Sequence, residues 1–417
     1  MAFGKNGGAI QGMKEGMSRE QSAVLRGLAI LMMIYHHIFA TPELYGLEYF
    51  SVLRFGEVNV ELYLAWFCKI ALGIYLFVSG YGMYYVLKKR PVKDPAEETF
   101  AGYLLGCYRQ SFAKLGRLYA QYWYALVVSM AVIFLLDPDA PVFSLREFLL
   151  NMLGISNSYN ATWWYILQYV KMLLLLPLVA ALFHKFSDSS QERKKRIFYV
   201  AAAAAALLCL AAGFFWLPGL AELIVKAAHG LRISFTLVFI VGYLTARFAV
   251  YQRIACMKIF QTGVCGRGTS ENDALEAAGA GQAESGERVS KGKVLLAGVI
   301  ALTASVIVRV LLSDDPAYAK LDFLLVPVFI FGFLTLLDRL PRLSAVLRFF
   351  GGLSTYMWLI HIFFWKDAFR PLVMLTGVST GIFLTLAALS AGAAALLKAG
   401  ENLAVRRRRA YRKKKNG

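Results

Sequence analysis

An arginine and a histidine stand eleven residues apart in the stretch Leu25-Arg26-Gly27-Leu28-Ala29-Ile30-Leu31-Met32-Met33-Ile34-Tyr35-His36-His37. In a helix that interval is about 16 Å along the axis, at about 1.5 Å per residue. Half of a bilayer's hydrocarbon core is about 15 Å. An apolar helix with Arg26 at one surface therefore carries His37 near the middle of the membrane or a little beyond. Ionisable side chains at that depth are costly and are functional candidates by default. A neutral imidazole there can serve as a general base or as a nucleophile. His36 is the immediate neighbour, about 100° around the helix, so the two cannot face one site equally, and periodicity does not choose between them. A structural hydrogen-bonding role fits either histidine, and Arg26 alone fits a topology anchor.

Such a helix needs a membrane around it, and the composition points to one. The 417 residues are 58% hydrophobic and 17% charged, with a mean hydropathy of +0.55. Soluble domains hold about 45–50% apolar and about 25% charged residues. The pattern is that of an all-α polytopic membrane protein, and neither intrinsic disorder nor a disulfide scaffold fits it. Spanning helices need roughly 17–25 apolar residues. Ten candidates fall at 23–40, 66–87, 118–136, 162–183, 197–216, 232–250, 294–312, 321–337, 351–366 and 372–398, the eighth and ninth being short. With both termini cytoplasmic, the inward segments hold about 32 Lys and Arg and the outward ones about six, the bias that orients membrane proteins. The expected organisation is a cytoplasmic segment at 1–22, a transmembrane domain at 23–398 and a polybasic cytoplasmic tail at 399–417. Within the domain, about 263–292 is rich in Gly, Ala, Ser and Glu and reads as a flexible cytoplasmic linker. The first twenty residues are polar and Gly-rich, so the first apolar run is expected to act as an uncleaved anchor.

Few other residues suggest chemistry by type alone. Cys68, Cys107, Cys209, Cys256 and Cys265 show no CxxC spacing and read as free thiols. No two histidines share a helix turn with a carboxylate, so no metal is expected. His184 and His229 read as surface residues. The net charge of +19 lies in short clusters between apolar runs. Arg406–Arg409 and Arg412–Lys415 in the tail suit anionic lipid, and no nucleic-acid partner is expected. Glu43, Glu48, Glu57 and Glu61 read as the solvated face of the first outside loop.

The first helix resembles a known family. Arg, ten residues, then His is the signature of the acyltransferase-3 family, bacterial integral-membrane O-acyltransferases of surface glycans and related acceptors. Three more stretches agree. Phe77-Val78-Ser79-Gly80-Tyr81 resembles the family's Phe-rich Ser-Gly motif. Arg117-Leu118-Tyr119-Ala120-Gln121-Tyr122-Trp123 resembles the basic-to-aromatic start of its third helix. Leu353-Ser354-Thr355-Tyr356-Met357-Trp358-Leu359-Ile360-His361 resembles its late Leu-Ser-Tyr…Leu-Ile-His motif. Trp163-Trp164-Tyr165 with Pro177 is similar to its Trp-led fourth helix. The matches run in order from about residue 20 to 366. Two positions depart: Lys114 stands where the family often has the first Arg of Arg-x-x-Arg, and Gly73 where many members carry a carboxylate. Lysine keeps the charge but loses the bidentate fork.

The resemblance selects His37 over His36 and implies a mechanism. Cytoplasmic acyl-CoA, a donor substrate with no other cofactor, would dock its phosphates on Arg26, Arg109, Lys114 and Arg117. The thioester would reach His37, acting as base or as acyl carrier. His36, Ser79, Tyr356 and His361 are secondary site residues, and no orienting partner of His37 stands out. Trp163, Trp164 and Tyr165, with Tyr45, Tyr49 and Tyr159, would meet the acceptor, a surface glycan or lipid-linked glycan; the same aromatics fit an interfacial belt. The expected product is an O-acylated, most simply O-acetylated, glycan made at the plasma (inner) membrane. The competing readings are a proton-coupled transporter or flippase with the histidine as relay, and a membrane scaffold.

Overall fold

Helix α1 (Arg19–Phe39) starts where two side chains bond reciprocally. The Ser18 hydroxyl accepts from the Gln21 N–H at 3.1 Å, and the Gln21 side-chain oxygen accepts from the Ser18 N–H at 2.8 Å. This capping box satisfies donors that a first turn otherwise leaves open. It starts the helix four residues before the expected span. The helix ends at Phe39, so His37 stands in its last turn and not at its middle.

The computed structural model describes residues 16–41, 48–91, 98–136, 144–187, 192–202, 233–255, 291–311, 321–337, 339–365 and 369–416. After α1, a two-residue hairpin, β1 (Arg54–Phe55) and β2 (Val58–Asn59), leads into α2 (Val60–Cys68) and α3 (Ile70–Lys88), one apolar run broken at Lys69. Then come α4 (Phe100–Leu136), α5 (Leu145–Met152), a 3-10 turn at Ala161–Trp163 and α6 (Trp164–Ser187). A helical stretch at 192–202 follows. The remaining helices are α7 (Ile233–Arg247), α8 (Val250–Ala255), α9 (Lys291–Leu311), α10 (Asp322–Leu337), α11 (Pro341–Trp365), α12 (Arg370–Met374) and α13 (Ser379–Asn416).

Among the described residues, seven helical runs are long and apolar enough to cross a bilayer, and Ser234–Arg247 and Asp322–Leu337 are shorter apolar helices. The chain is an all-α, multi-pass membrane protein. These nine coincide with nine of the ten expected spans. Most of the fifth, 197–216, lies outside the described residues, as does nearly all of the expected linker. Several boundaries move. The ninth span is not short, because its helix starts at Pro341 and takes in residues expected as an inward loop; proline suits a first helical position. The third begins at Phe100, and the polybasic tail is a direct continuation of α13 to Asn416.

Apolar side chains gain little by leaving lipid for one another, so helices in a bilayer associate through close backbone approach at small residues. Here α1 and α11 cross at Gly27 and Gly351. A methyl group at Gly27 would overlap the Leu347 carbonyl, and one at Gly351 the Ala23 carbonyl. Gly80 and Gly242 make the same contact between α3 and α7. The two helices α1 and α11 run parallel: Glu20 pairs with Arg348 at 3.2 Å at one end, and His37 meets His361 at the other. Helix α3 runs antiparallel to α1, touching it through Tyr81–Met17, Tyr75–Arg26 and, continued upward by α2, Ala65–His36. Helices α6 and α7 are parallel, with ring contacts Trp164–Phe235, Tyr169–Phe239 and Phe183–Phe248 in register.

At the His37 end, the loop before α2 is tied to the start of α13. Phe50 bonds Gly377 and Ser379 through the backbone at 2.8 and 3.0 Å. Glu61 accepts from the Val52 and Leu53 N–H groups, at 3.1 and 3.4 Å, and from the Ser379 hydroxyl. Glu61 is thus 2% exposed, and its reading as part of a solvated loop face is corrected: its carboxylate collects the donors that hold the loop down. Glu48 and Glu57 are exposed, and Glu43 lies outside the described residues.

Candidate active site

Helices α1 and α11 bring together two histidines that lie 324 residues apart in sequence. His37 Nδ1 is 2.8 Å from His361 Nε2, and the rings stack at 5.0 Å with 8° between planes. His361 is fully buried. Its Nδ1 faces only the carbonyl oxygens of Met357 and Trp358, at 3.1 and 3.0 Å. A carbonyl can only accept, so His361 Nδ1 carries the proton and its Nε2 the lone pair. His37 Nδ1–H must then donate to His361, which leaves the lone pair of His37 on Nε2. That atom has no hydrogen-bond partner among the described residues. The arrangement fixes the tautomer that a general base needs, and supplies an acceptor for the imidazolium that forms when the base takes a proton. His361 is the orienting partner that the sequence left unnamed.

His36 does something else. Its Nδ1–H donates to the Ala65 carbonyl at 2.8 Å, pinning α1 to α2. The Trp66 indole makes a similar bond to the Ala40 carbonyl at 3.1 Å.

His37, Tyr75 and Tyr165 are half-buried. Along α11, the Tyr165 ring stands edge-on to Trp358 at 5.5 Å, and Ser354 lies beside the Tyr75 hydroxyl. Tyr75 donates to the Arg26 carbonyl at 3.2 Å. Arg26 itself is half-buried, with its Nε donating to the Ser22 carbonyl at 3.2 Å. Tyr75 thus meets α1 at Arg26, about 16 Å along the helix from His37.

The other expected site residues divide. Ser79 is one turn beyond Tyr75 on α3 and, by the antiparallel register, lies at the Arg26 end, far from His37. Arg109, Lys114 and Arg117 follow α4 toward that same end. Arg109 and Arg117 are exposed, and Arg117 Nε donates to the Ala113 carbonyl at 3.3 Å. Tyr356 faces away from the dyad and donates to Glu401 at 3.0 Å, as Gln121 of α4 does at 3.2 Å, so it joins α11 to α13. Trp163 is fully buried, and its indole N–H, with the Asn160 amide, donates to the Leu359 carbonyl at 3.0 and 3.1 Å. It holds α11 in place two residues from His361. Trp164 stacks on Phe235 of α7. His184, read as a surface residue, stacks on Tyr103 at 4.0 Å. Tyr45 and His229 lie outside the described residues. At Gly73 a side chain would press on Val326, and the Asp322 carboxylate lies 3.7 Å from where its Cβ would be. Asp322 is committed to Arg309 in a buried ion pair, with the Arg309 Nε also reaching the Phe67 carbonyl at 3.3 Å. Among the described residues no three His, Cys, Asp or Glu side chains converge as metal ligands would.

With this geometry in hand, the comparisons are direct. The acyltransferase-3 model, an acyltransferase domain, matches residues 22–397. The chain belongs to the acyltransferase-3 family. As a member it is a membrane acyltransferase, and both histidines of the dyad lie inside the matched region. No curated protein and no solved structure matches the chain.

Proposed function

We propose that this acyltransferase moves an acyl group, in the simplest case acetyl, from cytoplasmic acyl-CoA to a hydroxyl of a surface glycan or lipid-linked glycan at the plasma membrane. The observation that carries the reading is His37 Nε2, a base atom fixed in its tautomer by His361, eleven residues along α1 from Arg26. Donor phosphates dock at the Arg26 end, where Arg117, Lys114 and Arg109 add positive charge along α4. The thioester reaches the dyad along α1. His37 takes the proton of the acceptor hydroxyl as that oxygen attacks the thioester carbon.

The arrangement of spans belongs to the same reading. Parallel α6 and α7 fit the reading of a tenth span at 197–216 and both termini in the cytoplasm.

The test is purified protein in liposomes with radiolabelled acetyl-CoA. Label transfer or thioester loss that disappears in His37→Ala is the expected result. A wild-type protein that neither binds nor consumes any acyl-CoA, while moving protons, would return the chain to the transporter reading. Label retained covalently on the wild-type protein and absent from His37→Ala would replace base catalysis with an acyl-histidine route.

A further inference from the structure

His36 has a second nitrogen that its bond to α2 does not use. The Ala65 carbonyl can only accept, so the 2.8 Å contact puts the proton on His36 Nδ1 and the lone pair on Nε2. That nitrogen has no hydrogen-bond partner among the described residues, and the side chain is half-buried, like that of His37. His37 is arranged in the same way, with Nδ1 committed to His361 and Nε2 open. The two ring centres are 5.6 Å apart, with 51° between planes. Each ring is held through its Nδ1, His36 against α2 and His37 against α11. The Trp66 indole on the Ala40 carbonyl, at 3.1 Å, secures α2 to the end of α1 beside His36. One turn of α1 thus carries two fixed imidazoles and two open lone pairs.

An open lone pair can only accept. In the transfer, His37 Nε2 takes the proton of the attacking hydroxyl. The thioester carbonyl and its oxyanion have no proton to give, so the donor to His36 Nε2 is a second O–H beside the first. Hydroxyls on adjacent sugar carbons supply one at the right reach. Two hydrogen bonds of about 2.8 Å, angled from neighbouring oxygens, bridge imidazoles at this separation. A half-buried imidazole left unpaired costs free energy that such a hydroxyl recovers.

We infer that His36 is a specificity-determining residue: its Nε2 accepts a hydrogen bond from the hydroxyl next to the one that His37 deprotonates, so the acceptor carries adjacent hydroxyls and is acylated at one of them. This rests on the acyl-CoA reading above. The second hydroxyl keeps its proton and holds the first in line with His37.

The test uses the full chain in liposomes with radiolabelled acetyl-CoA and two acceptor probes, a cyclohexanediol with adjacent hydroxyls and cyclohexanol. Wild type should acylate the diol with a kcat/KM roughly tenfold above that for the mono-ol. His36→Asn sets an amide N–H where Nδ1 stands, which keeps the Ala65 bond and the Tm, but has no acceptor at the Nε2 position. The diol preference should vanish there, with the cyclohexanol rate unchanged. His36→Gln sets an oxygen at the Nε2 position and gives up the Ala65 bond, so Tm should fall while the preference survives in part. The preference is a ratio within one preparation, so partial unfolding of a variant cancels from it. A fastening role alone gives the opposite pattern: both probes lose rate together, in step with Tm, at a constant ratio. That pattern, no preference in wild type, a preference that persists in His36→Asn, or an effect confined to the KM for acetyl-CoA overturns the assignment and leaves His37 in place. Acetyl-CoA consumed with neither probe acylated overturns it too. A wild type that consumes no acyl-CoA overturns the underlying reading as well.

Discussion

His37 and His36 differ by one place in the chain, and their roles follow from what each Nδ1 meets. The neighbour finds a backbone carbonyl and becomes a fastener; His37 finds a second imidazole and keeps its other nitrogen open. Replacing His361 by Phe keeps a ring in the stack but removes the acceptor. We expect kcat to fall by about 10²–10³-fold with the KM for acyl-CoA little changed, and His361→Asn to restore part of the loss; steady-state kinetics on both variants decides. Glu61 belongs to a different task. Glu61→Ala strips three donors of a buried carboxylate, which should cost roughly 2–4 kcal/mol and show as a lower Tm. The Arg-to-His interval was readable in sequence because a helix converts spacing to distance, and the family signature selected His37. The partnership with His361 was not, since it depends on how two remote helices pack. Trp163 and Glu61 misled for a related reason: aromatic and acidic side chains near a membrane surface resemble belt and loop residues until a buried partner is seen.

At the scale of elements, the site depends on how closely α1 and α11 approach. Gly351→Val would push Ala23 and the first helix away, separating the two imidazoles even though neither is altered. We expect loss of activity with a lowered Tm. Gly82→Ala is the matching control, because a Cβ there meets nothing within 4 Å and helical Gly→Ala favours the helix by about 0.5–1 kcal/mol. The Arg309–Asp322 pair braces α9 and α10 against the break between α2 and α3. Asp322→Asn leaves a buried guanidinium uncompensated and should lower stability by about 3–5 kcal/mol; replacing both partners by Leu should recover most of it, as thermal unfolding in detergent would show. Helix existence was legible from apolar runs, since nine of ten expected stretches carry described helices. Their ends were less so. Caps, a leading proline and the outward continuation of α4 and α13 are polar features that an apolar window does not register.

For the whole molecule, orientation is the testable quantity. Lys185 and Arg253 lie at the same end of the parallel pair formed by α6, α7 and the helix that follows, and Ala161 at the other; all three are exposed. Single cysteines at 185 and 253 should react with an impermeant thiol reagent from one side of a sealed vesicle, and one at 161 from the opposite side. Reaction of 185 and 253 from opposite sides would remove the return crossing between them. A last consequence concerns synthesis. The two imidazoles are 324 residues apart, so a ribosome has made most of the chain before they can meet. The first helix waits in the bilayer with its glycine face bare and its histidine unaccompanied, and any product that stops before His361 lacks the dyad. Reactivity toward an abundant thioester thus becomes a certificate that synthesis and insertion have passed α11.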